Sequence, residues 1–159
     1  MAAQRLLLGW LLAHWCVEGL AWYVGTHLLL VHTASLPSGL YWRLPRPAVL
    51  ERGMLVEFTP PDWMVAHLPT LQPGEHVMKH VASHPGERVC WTEEGMRLRE
   101  RVYLRPPRQP FREELRGCRP LVDTELIVTG DHAASFDSRA MGPLDQRRVV
   151  TRVVPVWTW

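Results

Sequence analysis

Apolar and polar positions divide the chain into two unequal parts. From Leu6 to Val31 the residues are mostly Leu, Ala, Trp, Val and Gly. A helix across a bilayer needs about 20 apolar residues, and this run is long enough. After Val31 no long stretch keeps the apolar period of a helix. Short apolar runs bounded by Pro, Gly and charged residues replace it, as strands and turns require. Strands are predicted at Met54–Phe58, stopped by Pro60-Pro61, and at His76–Ala82, ending at His84-Pro85-Gly86. Others are predicted at Arg88–Trp91, at Met96–Leu104, where apolar and charged residues alternate, at Leu121–Val128 and at Val149–Trp157. Pro155 lacks the N–H that a ladder needs, so the end of the last strand is expected at a sheet edge. The Pro- and Arg-rich segment Arg105–Arg119 reads as a surface excursion, with room for a short helix at Phe111–Leu115. The expected fold is mainly β, with one N-terminal apolar helix over residues 1–31 and one sheet domain over residues 32–159.

The N-terminal run admits three readings. Its length and its Trp10, Trp15, Trp22 and Tyr23 suit a membrane span with interfacial aromatics, and Arg5 ahead of it favours a cytoplasmic N-terminus. The body would then lie on the outer face. Glu18 falls near the middle, where a charge is costly, but His14 sits four residues earlier and shares its helix face. The second reading is a cleaved signal peptide, with Gly19-Leu20-Ala21 as the small-x-small site. The third is an apolar core helix.

Composition narrows the function classes. Fourteen prolines argue against a helical bundle. A net charge of +2, with scattered basic residues, gives no footprint for nucleic acid. No Cys-x-x-Cys occurs, which disfavours a zinc knuckle or thioredoxin-type site. Cys90 and Cys118 either pair as a disulfide in an oxidising compartment or remain two buried thiols.

Three clusters carry chemistry. His32-Thr33-Ala34-Ser35-Leu36-Pro37-Ser38-Gly39-Leu40-Tyr41 starts where the apolar run ends, and Pro37 biases Leu36 to an extended backbone. That can present the Ser35 hydroxyl at a surface and leave its N–H free. Lys79, between Met78 and His80, is the only lysine in the chain. In an apolar strand its ammonium is partly desolvated, which lowers a lysine pKa and lets the amine accept a proton, whereas Arg stays protonated. Gly130-Asp131-His132 and Ser135-Phe136-Asp137-Ser138-Arg139 gather hydroxyls, carboxylates and a guanidinium into one loop. Taken singly, these are an ordinary loop serine, an edge-strand lysine with its head in water, and a polar turn.

Together, and in this order, they resemble the bacterial type I signal peptidase family, and within it the conjugative-transfer (TraF-type) branch. Ser35, Pro37, Gly39 and Tyr41 match a Ser-x-Pro-x-Gly-x-Tyr motif. Gly53-Met54-Leu55-Val56-Glu57-Phe58 is similar to a Gly-Asp-x-Val-x-Phe strand, with Met54 in place of the acid. Lys79-His80-Val81 and Pro85-Gly86-Glu87 are similar to Lys-Arg-Val and Pro-Gly-Asp, and the third cluster to Gly-Asp-Asn and Ser-x-Asp-Ser-Arg. His132 stands where many members have Asn, and Ala140-Met141 where aromatics usually follow.

The resemblance implies a signal-peptidase-like β-sheet domain that cleaves peptides with Ser35 as nucleophile and Lys79 as general base. It assigns Ser135 to orienting Lys79, and Asp137, Arg139, Gly130 and Asp131 to supporting the site. The Ser35 N–H and the Thr33 hydroxyl would receive the oxyanion. No metal or organic cofactor is expected. The implied partners are a membrane, a pilin or signal-peptide-bearing precursor and proteins of the conjugation apparatus, with the catalytic domain on the periplasmic side of the bacterial inner membrane. A Ser/His hydrolase lacks a Gly-x-Ser-x-Gly elbow here. A LexA-like self-cleaving regulator would carry a DNA-binding helix pair in place of the Leu-rich N-terminus. A catalytically inactive scaffold of a secretion or pilus complex remains the alternative from another class.

Overall fold

The N-terminal apolar run begins as a helix and finishes as a strand. The computed structural model describes residues 2–33, 35–72, 74–106 and 109–159, with side chains from residue 7 onward. Ala34 of the Ser35 cluster, Pro107 and Arg108 of the Arg-rich segment, and the Arg5 side chain therefore lie outside the described positions. Helix α1 spans Ala2–His27. Its portion Leu7–His27 has mean hydropathy 1.2, and none of that window is buried. The core-helix reading is thereby removed. At 1.5 Å per residue this portion is about 30 Å long, the thickness of a bilayer core. Strand β1, Leu28–Val31, follows with no intervening residue. Those four residues turn to strand because they pair antiparallel with Gly39–Trp42, and Val31 is buried.

Strands β2 (Gly39–Leu44), β3 (Leu55–Phe58), β4 (Val77–Val81), β10 (Val128–Thr129) and β12 (Val149–Thr158) complete an antiparallel six-stranded sheet, in the order β1-β2-β12-β3-β4-β10. Strands β5 (Arg88–Thr92), β6 (Gly95–Leu98), β7 (Arg101–Leu104) and β8 (Gly117–Pro120) form a second sheet, ordered β7-β6-β5-β8. Strands β9 (Glu125–Leu126) and β11 (Leu144–Asp145) make a short ladder. The helices α2 (Asp62–His67) and α3 (Ser138–Met141) complete the regular elements, with 3-10 turns at Glu113–Leu115 and Gln146–Arg148.

Alternation along the strands sorts side chains into separate cores. Val56, Phe58, Val81 and Val128 face one side of the large sheet and pack with Phe136, Met141 and Leu144. Val31, Tyr41, Leu55 and Val153 occupy the opposite face, joined by Leu36. The small sheet contributes Val89, Trp91, Met96 and Leu98 to a third core, closed by Leu121 and Ile127. The Trp91 Nε1–H donates to the Ser138 carbonyl at 2.9 Å, tying that core to α3.

Several boundaries depart from expectation. The Met96–Leu104 run is a hairpin, β6 and β7, because Arg99 adopts a φ of 57° at the turn. The Leu121–Val128 run is not one strand. Its apolar residues serve different cores: Leu121 and Ile127 point to one, Leu126 and Val128 to another. Ile127 breaks the ladder, its N–H donating to the Ser83 hydroxyl at 3.0 Å. The helices α2 and α3 and the strands β2 and β8 are additional. Pro155 lies where β12 has run past β3, whose pairing ends at Val153, so its missing N–H breaks no bond to that strand.

Cys90 and Cys118 face each other across β5 and β8 and are bonded, with S–S 2.02 Å and a sequence separation of 28. A closed loop of that length stabilises by roughly 3 kcal/mol in the chain-entropy account. A Cys90→Ser, Cys118→Ser double variant is expected to lose about that much in a denaturant titration of the detergent-solubilised protein.

Candidate active site

Three loops and the strands β1, β2, β3 and β4 border a cleft of about 850 Å³, whose lining includes Thr33, Ser35, Leu36, Lys79, Ala134 and Phe136. Ser35 sits in the turn between β1 and β2. The loop is held at several points: the Tyr41 hydroxyl donates to the Pro37 carbonyl at 2.7 Å, and His32 Nδ1 lies 3.1 Å from the Ser38 hydroxyl. The Asp131 N–H donates to the Ser35 carbonyl at 2.8 Å, which joins this loop to the one after β10. The Ser35 N–H is not free. It points at Thr33 Oγ1 at 3.4 Å, a long contact that an incoming oxygen can replace.

Lys79 occupies the middle of β4, opposite Val56, and is only 3 % exposed. Burial lowers its pKa from the ordinary 10.5 to about 8; Asp137 works against this, Arg139 with it and Asp131 against it. The amine is therefore neutral in a substantial fraction of molecules under mildly alkaline conditions, and able to accept a proton.

The loop from Gly130 to Arg139 borders the same cleft and carries the charges that act on the lysine. Asp137 is fully buried and accepts from the Gly130 N–H at 2.8 Å and from the Arg139 side chain at 2.8 and 2.6 Å. Arg139 spends its other donors on the carbonyls of Leu104, His132, Ala133 and Ser135. One ion pair thus fixes the loop's path. It leaves the Ser135 hydroxyl buried with no partner among the described residues. Gly130 makes that approach possible. A Cβ there would lie 2.2 Å from the Ser135 hydroxyl and 2.9 Å from the Ser35 carbonyl.

The Arg-rich segment is not a detached excursion, because it buttresses this loop. Gln109 Nε2 donates to the Ala134 carbonyl at 2.8 Å, the Arg112 guanidinium to that of Met141, and Arg105 stacks on Phe111. The disulfide lies on the small sheet and does not line the cleft.

A second polar group in the cleft wall was not anticipated. Glu57 in β3 is buried and accepts from Arg43 of β2 at two points of 2.8 Å, from Thr151 of β12 at 3.0 Å, with His76 Nδ1 at 3.3 Å. Burial works to raise the Glu57 pKa, but Arg43, Thr151 and His76 outweigh it and hold the carboxyl below the usual range. An acid inside the apolar run Leu55–Phe58 was the available sign of a cationic partner nearby.

A family model described as "Signal peptidase, peptidase S26" matches residues 24–159. The chain belongs to this family. Two Escherichia coli proteins named plasmid transfer protein TraF are similar to it. One is 28 % identical over 145 residues, covering 80 % of this chain and 81 % of the relative. The other is 30 % identical over 148 residues, covering 80 % of each. A crystal structure of a signal peptidase I from Enterococcus faecalis shares 18 % identity over 62 % of this chain and 92 % of that one, with a TM-score of 0.37.

Two measurements test this geometry. Below pH 8 the folded S26 domain must hold a buried charged lysine. Between about 8 and 10.5 the unfolded chain keeps that proton while the folded one releases it, so stability rises with pH. Lys79→Met is therefore expected to be more stable at neutral pH by on the order of 3 kcal/mol, with the gain shrinking as pH climbs through that window. Gly130→Ala is expected to be less stable by about 2 kcal/mol, measured the same way, because its methyl group collides with Ser135.

Proposed function

We propose that the protein is a membrane-anchored serine endopeptidase that cleaves signal-like or pilin precursor segments, with Ser35 as nucleophile and Lys79 as general base. The observation that carries this reading is the shared cleft: it is lined by the one lysine of the chain, buried and with its pKa lowered to about 8, and by a serine in a braced turn. In the first step Ser35 Oγ bonds to the scissile carbonyl carbon and its proton passes to Lys79 Nζ. The oxyanion takes the Ser35 N–H and the Thr33 hydroxyl, displacing their contact with each other. Collapse breaks the C–N bond, and Lys79 gives its proton to the departing amine. A water, or the amine of another peptide end, then attacks the ester carbonyl and loses its proton to Lys79, which returns it to Ser35 Oγ as the ester C–O bond breaks. Ser135, buried and without a hydrogen-bond partner among the described residues, supports the role of holding the lysine amine.

The cleft suits an extended substrate. β1 is the terminal strand of its sheet, and β4 is paired to β10 only at His80 and Val81, which leaves Val77–Lys79 open on that side. A peptide backbone can add to such edges. The length of α1 and the exposed Leu30, Val156, Trp157 and Trp159 support a domain resting at a membrane surface. In this reading residues 1–31 are retained as the anchor and the peptidase domain, residues 32–159, faces the periplasm from the inner membrane. The TraF relatives support a role in conjugative transfer, with a precursor of that apparatus as substrate.

Cleavage of membrane-embedded precursors, read by mass spectrometry, tests this. Ser35→Ala and Lys79→Ala are each expected to lose activity by about 10³-fold or more while remaining folded. The wild-type rate should rise with pH and level off above about 8, as the lysine becomes neutral. Undiminished cleavage by Ser35→Ala would overturn Ser35 as the nucleophile, whereas wild type and both variants equally inert on several precursors would overturn the reading in favour of an inactive scaffold in a secretion or pilus complex.

A further inference from the structure

We propose that His80 is a positioning residue: its ring bridges the turn before β3 to Asp131 and so holds the Ser35 peptide, most firmly when the imidazole is protonated. The proposal rests on the reading of Ser35 as the nucleophile.

His80 is adjacent to Lys79 and points to the opposite face of β4, where it is paired with Leu55. Its Nδ1 lies 3.2 Å from the Gly53 carbonyl and its Nε2 3.5 Å from Asp131 Oδ1. Both partners are acceptors only. A neutral imidazole has one N–H and can serve one of them; an imidazolium serves both. Each end of the bridge is anchored. The Gly53 N–H donates to the Val81 carbonyl at 2.8 Å, and the Asp131 N–H donates to the Ser35 carbonyl at 2.8 Å. Ser35 is thus braced from two sides: through Asp131 by His80, and across Gly130 by Asp137 and Arg139.

Other charged groups do not displace this contact. Arg52, next to Gly53, turns away to the Ala82 carbonyl and Glu87. Tyr41 of β2 is neutral, with its phenol pushed up by burial and by Asp131. Lys79 experiences the Asp131 carboxylate as one of the smaller influences raising its pKa, so a cation on Asp131 favours the neutral amine.

Two readouts test the bridge in the detergent-solubilised full chain. The first is the hydrogen-exchange protection factor of the Asp131 amide, corrected for intrinsic rates, between about pH 5.5 and pH 8. In wild type it is expected to fall about fivefold across this range. It should be low throughout in His80→Gln and Asp131→Asn, and high throughout in His80→Arg. The second is precursor cleavage: His80→Gln is expected to lower kcat more than it raises KM, while His80→Arg preserves kcat and moves the pH midpoint lower. Protection that is independent of pH in wild type and equal in all four proteins overturns the bridge, even with Ser35-dependent turnover intact. Protection that follows His80 in a protein inert toward every precursor retains the bridge and removes the peptidase reading. If His80→Gln does not fold, His80→Arg and Asp131→Asn carry the same comparison.

Discussion

Asp137 and Arg139 form a buried ion pair, and the loop they belong to has little apolar mass with which to hold itself. Breaking such a pair from one side typically costs 3–5 kcal/mol, because the remaining charge is stranded away from water. Here the pair does more than cancel itself. Its remaining donors and acceptors are distributed over the backbone of Leu104, Gly130, His132, Ala133 and Ser135. The path of the loop follows from that distribution, and with it the position of the Ser135 hydroxyl. The same two charges act on Lys79 with opposite signs, so burial is left as the dominant influence on its amine.

Lys79 and Ser35 belong to segments that are distant in the chain, and their shared cleft depends on sheet order. β12 comes from the C-terminal end of the chain yet lies between β2 and β3. It therefore joins the strand after the Ser35 turn to the strand beside Lys79. The Arg43–Glu57–Thr151 contacts cross the same three strands and reinforce the junction from within. The cleft wall is in this sense assembled from both ends of the sequence.

Residues with unusual local chemistry were legible before any coordinates. A single lysine in an apolar strand, a serine in a Pro-constrained turn and a carboxylate-guanidinium loop each stood out, and the family motif put them in order. The strands β3, β4, β5 and β12 were legible from apolar runs and their Pro or Gly stops. The helices α2 and α3 were not, since six and four residues are too few to display a helical period. The run at Leu121–Val128 misled because periodicity records burial, not which core a side chain enters. Arg43 and Glu57 could not be matched, because nothing local in the sequence reveals that β12 separates their strands.

The direct passage from α1 into β1 has a consequence for the tethered peptidase proposed above. With no linker, only the four residues of β1, about 13 Å of strand at 3.3 Å per residue, separate α1 from the loop that carries Ser35. That separation cannot be tuned continuously. Adding or removing one residue would reverse the strand's faces, turning Val31 outward and an exposed neighbour inward. A change of length that keeps both faces of β1 comes in two-residue steps of about 6.6 Å, so the reach from helix to Ser35 turn is quantised by the pleat of a single strand.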